Sequence, residues 1–384
     1  MSAHLAIIFG AHPWCMVVPK FFNHLPQLCA PMNLRRIDPA KNLRCLFYLR
    51  GWLRLLLPDP GRLKHLRQRY RLTTPGERLE IQTRGDYYLK SDVPFDLARS
   101  EAEMTLAGYR SNPVHRRKSS YFHDLYEHLR FYPDVVRFAY RFGDNYSTPE
   151  VPTFVKARSL TKDSSNAVLM KLNKVRHYVF ADDAIDFGDK LDRLVWRGNA
   201  KRDHRREFVR RFHRHPFCDV GQTNDCGDTA VHRKPFMKIE DQLRYKFILS
   251  IEGNDVATNL KWIFSSQSVC FMTRPTRESW FMEGSLVPDH HYVLLRDDYS
   301  DFDEKLRFYL ARPEKCREII RNANAHVARF QNEDIEALVS LYVIDKYLAL
   351  SGQRGGLGFF DAGEFVPAEE RGVPAQAEIR HRFA

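Results

Sequence analysis

The chain has no C-x-x-C pair, no long low-complexity stretch and no apolar run that makes a convincing transmembrane helix. Its seven cysteines (Cys15, Cys29, Cys45, Cys218, Cys226, Cys270 and Cys316) are odd in number and scattered. That argues against a disulfide framework and reads as reduced, mostly buried thiols, consistent with a cytoplasmic location. Cys218 and Cys226 lie near His213, His215 and His232, but their spacings match no regular zinc pattern, and a polar loop is the expected structure. The apolar stretch Leu5 to Phe22 is broken by His12, Pro13, Pro19 and Lys20 and has no basic segment before it. It reads as a buried first strand and turn, or as sequence upstream of the true start, rather than as a signal or a span. The C-terminus carries no retention signal.

What is present is globular. With 384 residues, 43% hydrophobic and 13% aromatic, the chain is long for one core, and two domains are expected. The net charge of +12 implies an anionic partner: a nucleotide, a polyanionic glycan, nucleic acid or a membrane surface. The bias is steepest from Arg35 to Arg71, where eleven Lys or Arg stand against Asp38 and Asp59 and alternate with Leu43, Leu46, Leu49, Trp52, Leu53 and Leu55 to Leu57. Such a mixture suits an interfacial segment that buries leucines while arginines reach phosphates. It equally suits a core helix followed by a solvated basic face. An anionic membrane surface is therefore a candidate partner through residues 35–71, with a peripheral position at the inner face of the membrane.

The most structured stretch is Tyr245 to Phe271. A strand-like run (Phe247, Ile248, Leu249, Ile251) ends in Glu252-Gly253-Asn254; Asp255 and Thr258 then open a helical segment, and a second strand follows at Ser268 to Thr273. Strand, helix, strand predicts a right-handed parallel crossover. In open α/β sheets the ligand sits where such strands end, which points to an anionic nucleotide here, with Lys261 adding charge.

Elsewhere, Arg78 to Lys90 reads as a strand with a turn near Gly85, Tyr121 to Phe131 as a helix, and Val135 to Phe142 as a strand ending in Gly143-Asp144. Short strands are expected at His177 to Ala181, Leu194 to Trp196 and His291 to Leu295, a loop at Cys218 to Asp228, and helices at Asp203 to Phe212, Phe302 to Leu310, Pro313 to Phe330 and Glu333 to Leu350. The alternation means α/β. The expected domains are 1–172 and 173–350, followed by a mobile tail, 351–384.

One ordered set of motifs goes further: Trp196-Arg197-Gly198, then Tyr245-Lys246-Phe247, Ser250 to Asp255, Asn259 to Trp262, Ser268-Val269 with Phe271-Met272, and last Glu278, Met282-Glu283, Leu286, Pro288 and His291 to Val293. In this order they resemble glycosyltransferase family 90, which includes fungal capsule-associated proteins, eukaryotic protein O-glucosyltransferases and bacterial lipopolysaccharide glycosyltransferases of the LpsA type. Arg84 to Lys90 and the basic segment before it look most like the bacterial branch. The resemblance implies a GT-B fold, two Rossmann-like domains facing across a cleft. It also implies a metal-independent, inverting transfer of a hexose from a nucleotide sugar, a UDP-hexose as co-substrate, to a glycan or lipopolysaccharide acceptor, with no separate cofactor.

An inverting transfer needs a base near the acceptor hydroxyl, and Asp144, at a strand end in an RD-like context, is the candidate; ordinary turn chemistry is the alternative. A departing diphosphate without a metal needs cations and backbone amides. The candidates are Arg197, Gly198, Gly253, Asn254, Asp255 and Lys261, with Lys201 and Arg202 behind them. Glu278 is the candidate for the donor's ribose or sugar hydroxyls. Eukaryotic relatives carry an arginine where this chain has Asn259, which leaves more to Lys261. Asp301-Phe302-Asp303 spells a D-x-D, but at a helix start it reads as capping, and no metal ligand is expected. The rival readings are transfer to a protein serine, against which the lack of a signal, paired cysteines and a retention tail argues, and a basic nucleic-acid-binding protein, for which no helix-turn-helix, zinc-finger or RNP motif speaks.

Overall fold

The computed structural model describes residues 39–360 apart from 58, 101–102, 113–118 and 145–146, together with residue 365. The stretch Leu5 to Phe22, Cys15 and Cys29 lie outside them. The described residues from Arg50 onward form one compact unit, and the helix that leads into it, α1 (Pro39–Leu56), begins in another.

The first half of the larger unit carries α2 (Pro60–Arg71), α3 (Pro75–Tyr88), β1 (Glu103–Thr105), α4 (Ser119–Leu129), β2 (Arg137–Arg141), β3 (Thr153–Val155), β4 (Ala157–Ser159) and β5 (Ala167–Leu169). Strands β1-β2-β3-β5 make one sheet, parallel except at the β1 edge. Next come β6 (Leu191–Gly198), α5 (Asp203–Phe212), β7 (Cys218–Gln222), β8 (Tyr245–Leu249), α6 (Leu260–Phe264), β9 (Val269–Met272), β10 (Arg277–Ser279) and β11 (Val293–Leu294). Helices α7 (Phe302–Leu310), α8 (Pro313–Ala328) and α9 (Glu333–Leu350) follow.

The second sheet runs β11-β9-β8-β6-β7, parallel throughout. Counted from β6 this is strand order 2-1-3-4-5, a doubly wound sheet whose order reverses between β6 and β8. Its strands are apolar on both faces because both are covered. Trp196, Phe247, Leu249 and Phe271 join a cluster with Phe208 of α5, Phe302 of α7 and Ile320 of α8. Val195, Ile248 and Cys270 turn the other way, to a cluster that includes Leu260 and Ile263 of α6 and Val327 of α8. The α/β class and the parallel crossover β8-α6-β9 are as expected.

The same second cluster runs into the first half of the chain, where α9 lies buried along almost its whole length against α3. A helix surrounded by protein on every side shows no amphipathic stripe. Glu336 on α9 receives Arg84 Nη2 at 2.5 Å and Lys171 Nζ at 2.7 Å, and Lys346 reaches Asp86 at 2.8 Å. A third device ties the halves: β4 pairs antiparallel with β10, setting Arg158 opposite Glu278.

Four local expectations are corrected. Arg78 to Lys90 is not a strand but the body of α3, started by a capping box in which Thr74 and Glu77 bond each other's backbone N–H. Gly85 is no turn there: a Cβ would stand 2.1 Å from the buried Tyr342 ring, so the glycine lets α3 and α9 approach. His177 to Ala181 is not a strand; Lys174–His177 is a single helical turn, entered through Asn173 at φ 58°. Cys218 to Gln222 is β7, because Cys218 and Val220 are buried while Asp219 is held by three polar neighbours. The described start of the tail is packed rather than loose: Phe359 and Phe360 are buried, Phe360 5.0 Å from the Tyr70 ring.

Gly85→Ala is accordingly expected to destabilise the protein. The overpacking cost of about 1–3 kcal/mol outweighs the roughly 1 kcal/mol helix preference of alanine. A denaturation midpoint equal to or above wild type contradicts that packing.

Candidate active site at the switch between β6 and β8

Where strand order reverses in a parallel sheet, the loops leaving the two strands diverge and open a crevice at their carboxyl ends. Here those loops are Asn199 to Arg202 after β6 and Ser250 to Asp255 after β8. They meet directly: Arg202 Nε donates to Asn254 Oδ1 at 2.6 Å. Beneath the second loop lies Arg205 of α5, which donates to the Ile251 carbonyl at 2.6 Å, the Glu252 carbonyl at 2.9 Å and the Asn199 carbonyl at 2.9 Å. One guanidinium thus binds both loops into a single surface. Burial depresses the Arg205 pKa, and the positive Arg176 nearby adds to that. Gly253 fits because a Cβ would stand 3.1 Å from Arg205 Nη2.

Onto this surface comes a carboxylate from the other sheet. Asp144 follows β2 after Gly143, which takes φ 104°. Its Oδ1 accepts from Lys156 Nζ at 2.8 Å, and the same ammonium lies 2.9 Å from Asp255 Oδ2. Lys156 joins β3 to β4, so the β4–β10 pairing fixes where its side chain emerges. The Lys156 and Asp255 side chains are each only 4% exposed, whereas that of Asp144 is 37% exposed. The triad therefore presents one accessible carboxylate. Burial pushes the Asp144 pKa up, but hydrogen bonds from Lys156 and Asn254, with Arg176 nearby, more than offset it and hold the group below the usual carboxylate range.

The structure thus brings Asp144, Asn254, Asp255 and Arg202 together, with Gly253 in the same loop. Gly198 closes β6, where a Cβ would stand 2.7 Å from the Trp196 ring. Lys201 is exposed on the first loop. Four other candidates stand elsewhere. Arg197 turns across β7, its Nη2 2.6 Å from Asp219 Oδ1 and its Nη1 2.7 Å from the Asp219 carbonyl. Lys261 is fully buried, 2.6 Å from Glu283 Oε1. Glu278 is fully buried against Arg158 Nε at 2.7 Å and also bonds Tyr87. Asn259 donates to the Leu249 carbonyl at 2.9 Å and pins α6 to the end of β8. Helix α6 has only five residues, and neither Asp255 nor Thr258 caps it.

Residues 159–350 match the Glycosyl transferase family 90. Over 273 residues the chain is 41% identical to the "O-glucosyltransferase LpsA" of Dichelobacter nodosus, covering 71% of this chain and 84% of that protein. The chain belongs to glycosyl transferase family 90. It is a glycosyltransferase of the LpsA-like kind. A shorter likeness, 32% identity over 92 residues, links 22% of the chain to 8% of the "Uncharacterized protein 179R" of Invertebrate iridescent virus 6.

For this glycosyltransferase, sequence reading missed Lys156, Arg176 and Arg205. The signal for Arg205 was its place in the first turn of a helix following Trp196-Arg197-Gly198. Nothing local marked Lys156, whose partners lie 12 and 99 residues away by numbering and meet it only through the β4–β10 pairing. Among the described residues no three His, Cys, Asp or Glu side chains gather as a cation site. The D-x-D residues are otherwise engaged: Asp301 accepts from the Arg296 N–H at 3.0 Å rather than capping its helix, and Asp303 lies 2.8 Å from His215. His213 stacks on His232 with ring centroids 3.5 Å apart.

Proposed function

We propose that the enzyme moves a hexose from a nucleotide sugar, UDP-linked, to a saccharide hydroxyl of lipopolysaccharide or a related surface glycan, with inversion and without a metal. In this reading the two halves act as the facing domains of a GT-B enzyme in the cytoplasm. The observation that carries it is the triad Asp144–Lys156–Asp255, which sets an accessible carboxylate from one sheet against the switch-point loops of the other. The name of the Dichelobacter relative supports glucose as the sugar.

In the proposed step the acceptor oxygen attacks the anomeric carbon as Asp144 takes its proton, and the bond to the nucleoside diphosphate breaks on the opposite side. Negative charge grows on the leaving diphosphate. Arg202 and Arg176, both exposed at the crevice, and the amides of Gly253 to Asp255 are suited to meet it. Arg197, Lys261 and Asn259 act here through the frame that holds the loops. Transfer from UDP-α-glucose in the presence of a chelator tests this reading: it expects a β-linked product, and an α-linked product or a strict metal requirement overturns it.

Lys156 has its own test. Its ammonium lowers the Asp144 pKa, so the base stays ionised to lower pH. In Lys156→Met the acidic limb of kcat/KM is expected to move to higher pH, with kcat reduced even on the plateau. An unshifted limb contradicts the coupling.

A further inference from the structure

The outward face of the segment that ends α1 is apolar. Leu53 is 43% exposed, Leu56 76% and Leu57 60%, and Trp52, also 43% exposed, lies at the border of this face with its ring centroid 5.0 Å from that of His123. The inward face is settled separately: Gly51 is buried where a Cβ would stand 2.6 Å from the His123 ring, Leu55 packs on the core, and Arg54 pairs with Glu127 at 2.7 Å. The exposed leucines therefore do not serve the core. By spacing, the same stripe continues back in the sequence to Leu49 and Leu46. Four large apolar side chains within six residues are an aggregation liability in water unless something covers them.

The surrounding charge says what covers them. From Pro39 to Pro58 there is no Asp or Glu, and Asp59 is the first acid after that stretch. Arg50 is exposed beside the leucines, and Lys64 and Arg71 are exposed on α2. Exposed Trp and Leu, with exposed Arg and Lys close by in the sequence and no acid between Pro39 and Pro58, is the composition of a helix that lies in the headgroup layer of a bilayer. No helix among the described residues is long and apolar enough to cross a membrane, so an in-plane seat is the geometry left to it. We infer that Trp52, Leu53, Leu56 and Leu57, with Arg50, Lys64 and Arg71, form a docking surface for an anionic phospholipid bilayer. The inference rests on this helix and is independent of the donor chemistry.

Co-sedimentation of the full-length protein with phosphatidylcholine vesicles, with and without 30% phosphatidylglycerol, over a salt series tests it. Wild type is expected to bind the anionic vesicles, more weakly as salt rises. Leu53→Gln/Leu56→Gln/Leu57→Gln is expected to weaken binding on the order of tenfold or more. Arg50→Gln/Lys64→Gln/Arg71→Gln is expected to lose the preference for anionic vesicles. Thermal unfolding and turnover on a water-soluble acceptor should be unchanged in both, since all six residues are exposed to solvent. Absence of vesicle binding by wild type, or equal binding by the leucine variant, overturns the inference. So does a leucine-dependent dimer in solution that binds no vesicles, which makes the face a contact between copies of the chain.

Discussion

Asp144→Asn is expected to lower turnover by a factor of about 10²–10⁴, the usual contribution of a positioned base, while nucleotide-sugar affinity stays near wild type. The substitution removes the accessible carboxylate charge of the triad and keeps its size. Lys156 does not become an uncompensated buried cation, because Asp255 remains 2.9 Å away. Asn254, which meets both Asp144 and Arg202, keeps an amide-bonding neighbour, so the loop after β8 should hold its shape. Loss of activity would then report chemistry rather than folding. Turnover by coupled UDP release and donor affinity by calorimetry separate the two: retained turnover refutes the base assignment, and a parallel collapse of donor affinity makes Asp144 a structural residue.

The largest stability effect is expected at Arg158. Its guanidinium and the Glu278 carboxylate are both fully buried, across the β4–β10 pairing that joins the two sheets. Arg158 also donates to the carbonyls of Tyr87, Tyr88 and Ala167, at 2.6, 3.1 and 3.2 Å. Arg158→Met removes the close cation from a buried carboxylate, leaving it to Tyr87 and to Lys90 at 3.7 Å, frees three carbonyl acceptors at once, and should cost about 3–5 kcal/mol. Adding Glu278→Leu removes the stranded charge and should recover much of that loss, since replacing both partners of a buried pair by apolar groups is often tolerated. Denaturant unfolding of the single and double variants measures this. A single variant within about 1 kcal/mol of wild type contradicts the placement of this pair in the joint. A Glu278→Gln variant that stays stable but loses donor affinity restores the ribose-binding role expected from sequence.

Apart from β7, which was expected to be a loop, the strands and helices of the second sheet were legible because each is specified locally: apolar runs of four or five residues, and α7 to α9 by composition and length. The failures have physical causes too. Arg78 to Lys90 is rich in residues at home in strands, and only the capping box at Thr74 and Glu77, just ahead of it, marks the helix. The site was half legible. The candidates carried by loops at strand ends (Asp144, Gly253, Asn254, Asp255, Arg202) do lie together at the crevice, because a strand end is a local signal. Charged residues could not be sorted into exposed and consumed. Lys261 and Arg197 read as free cations, but their partners Glu283 and Asp219 sit 22 residues further along the chain in each case, and only the folded chain brings them together. Lys156 was missed for the same reason in reverse, as its role exists only once both sheets are assembled.

The crevice between β6 and β8 is proposed to bind a UDP-linked hexose for transfer. The most direct measurement is nucleotide release by the purified protein against a panel of sugar nucleotides, with and without a lipopolysaccharide-derived acceptor. Acceptor-dependent release of UDP is expected, from UDP-glucose above the other donors, and its loss in Asp144→Asn. Acceptor-dependent release from a non-uridine donor alone, or no release from any donor while the protein remains folded, contradicts it.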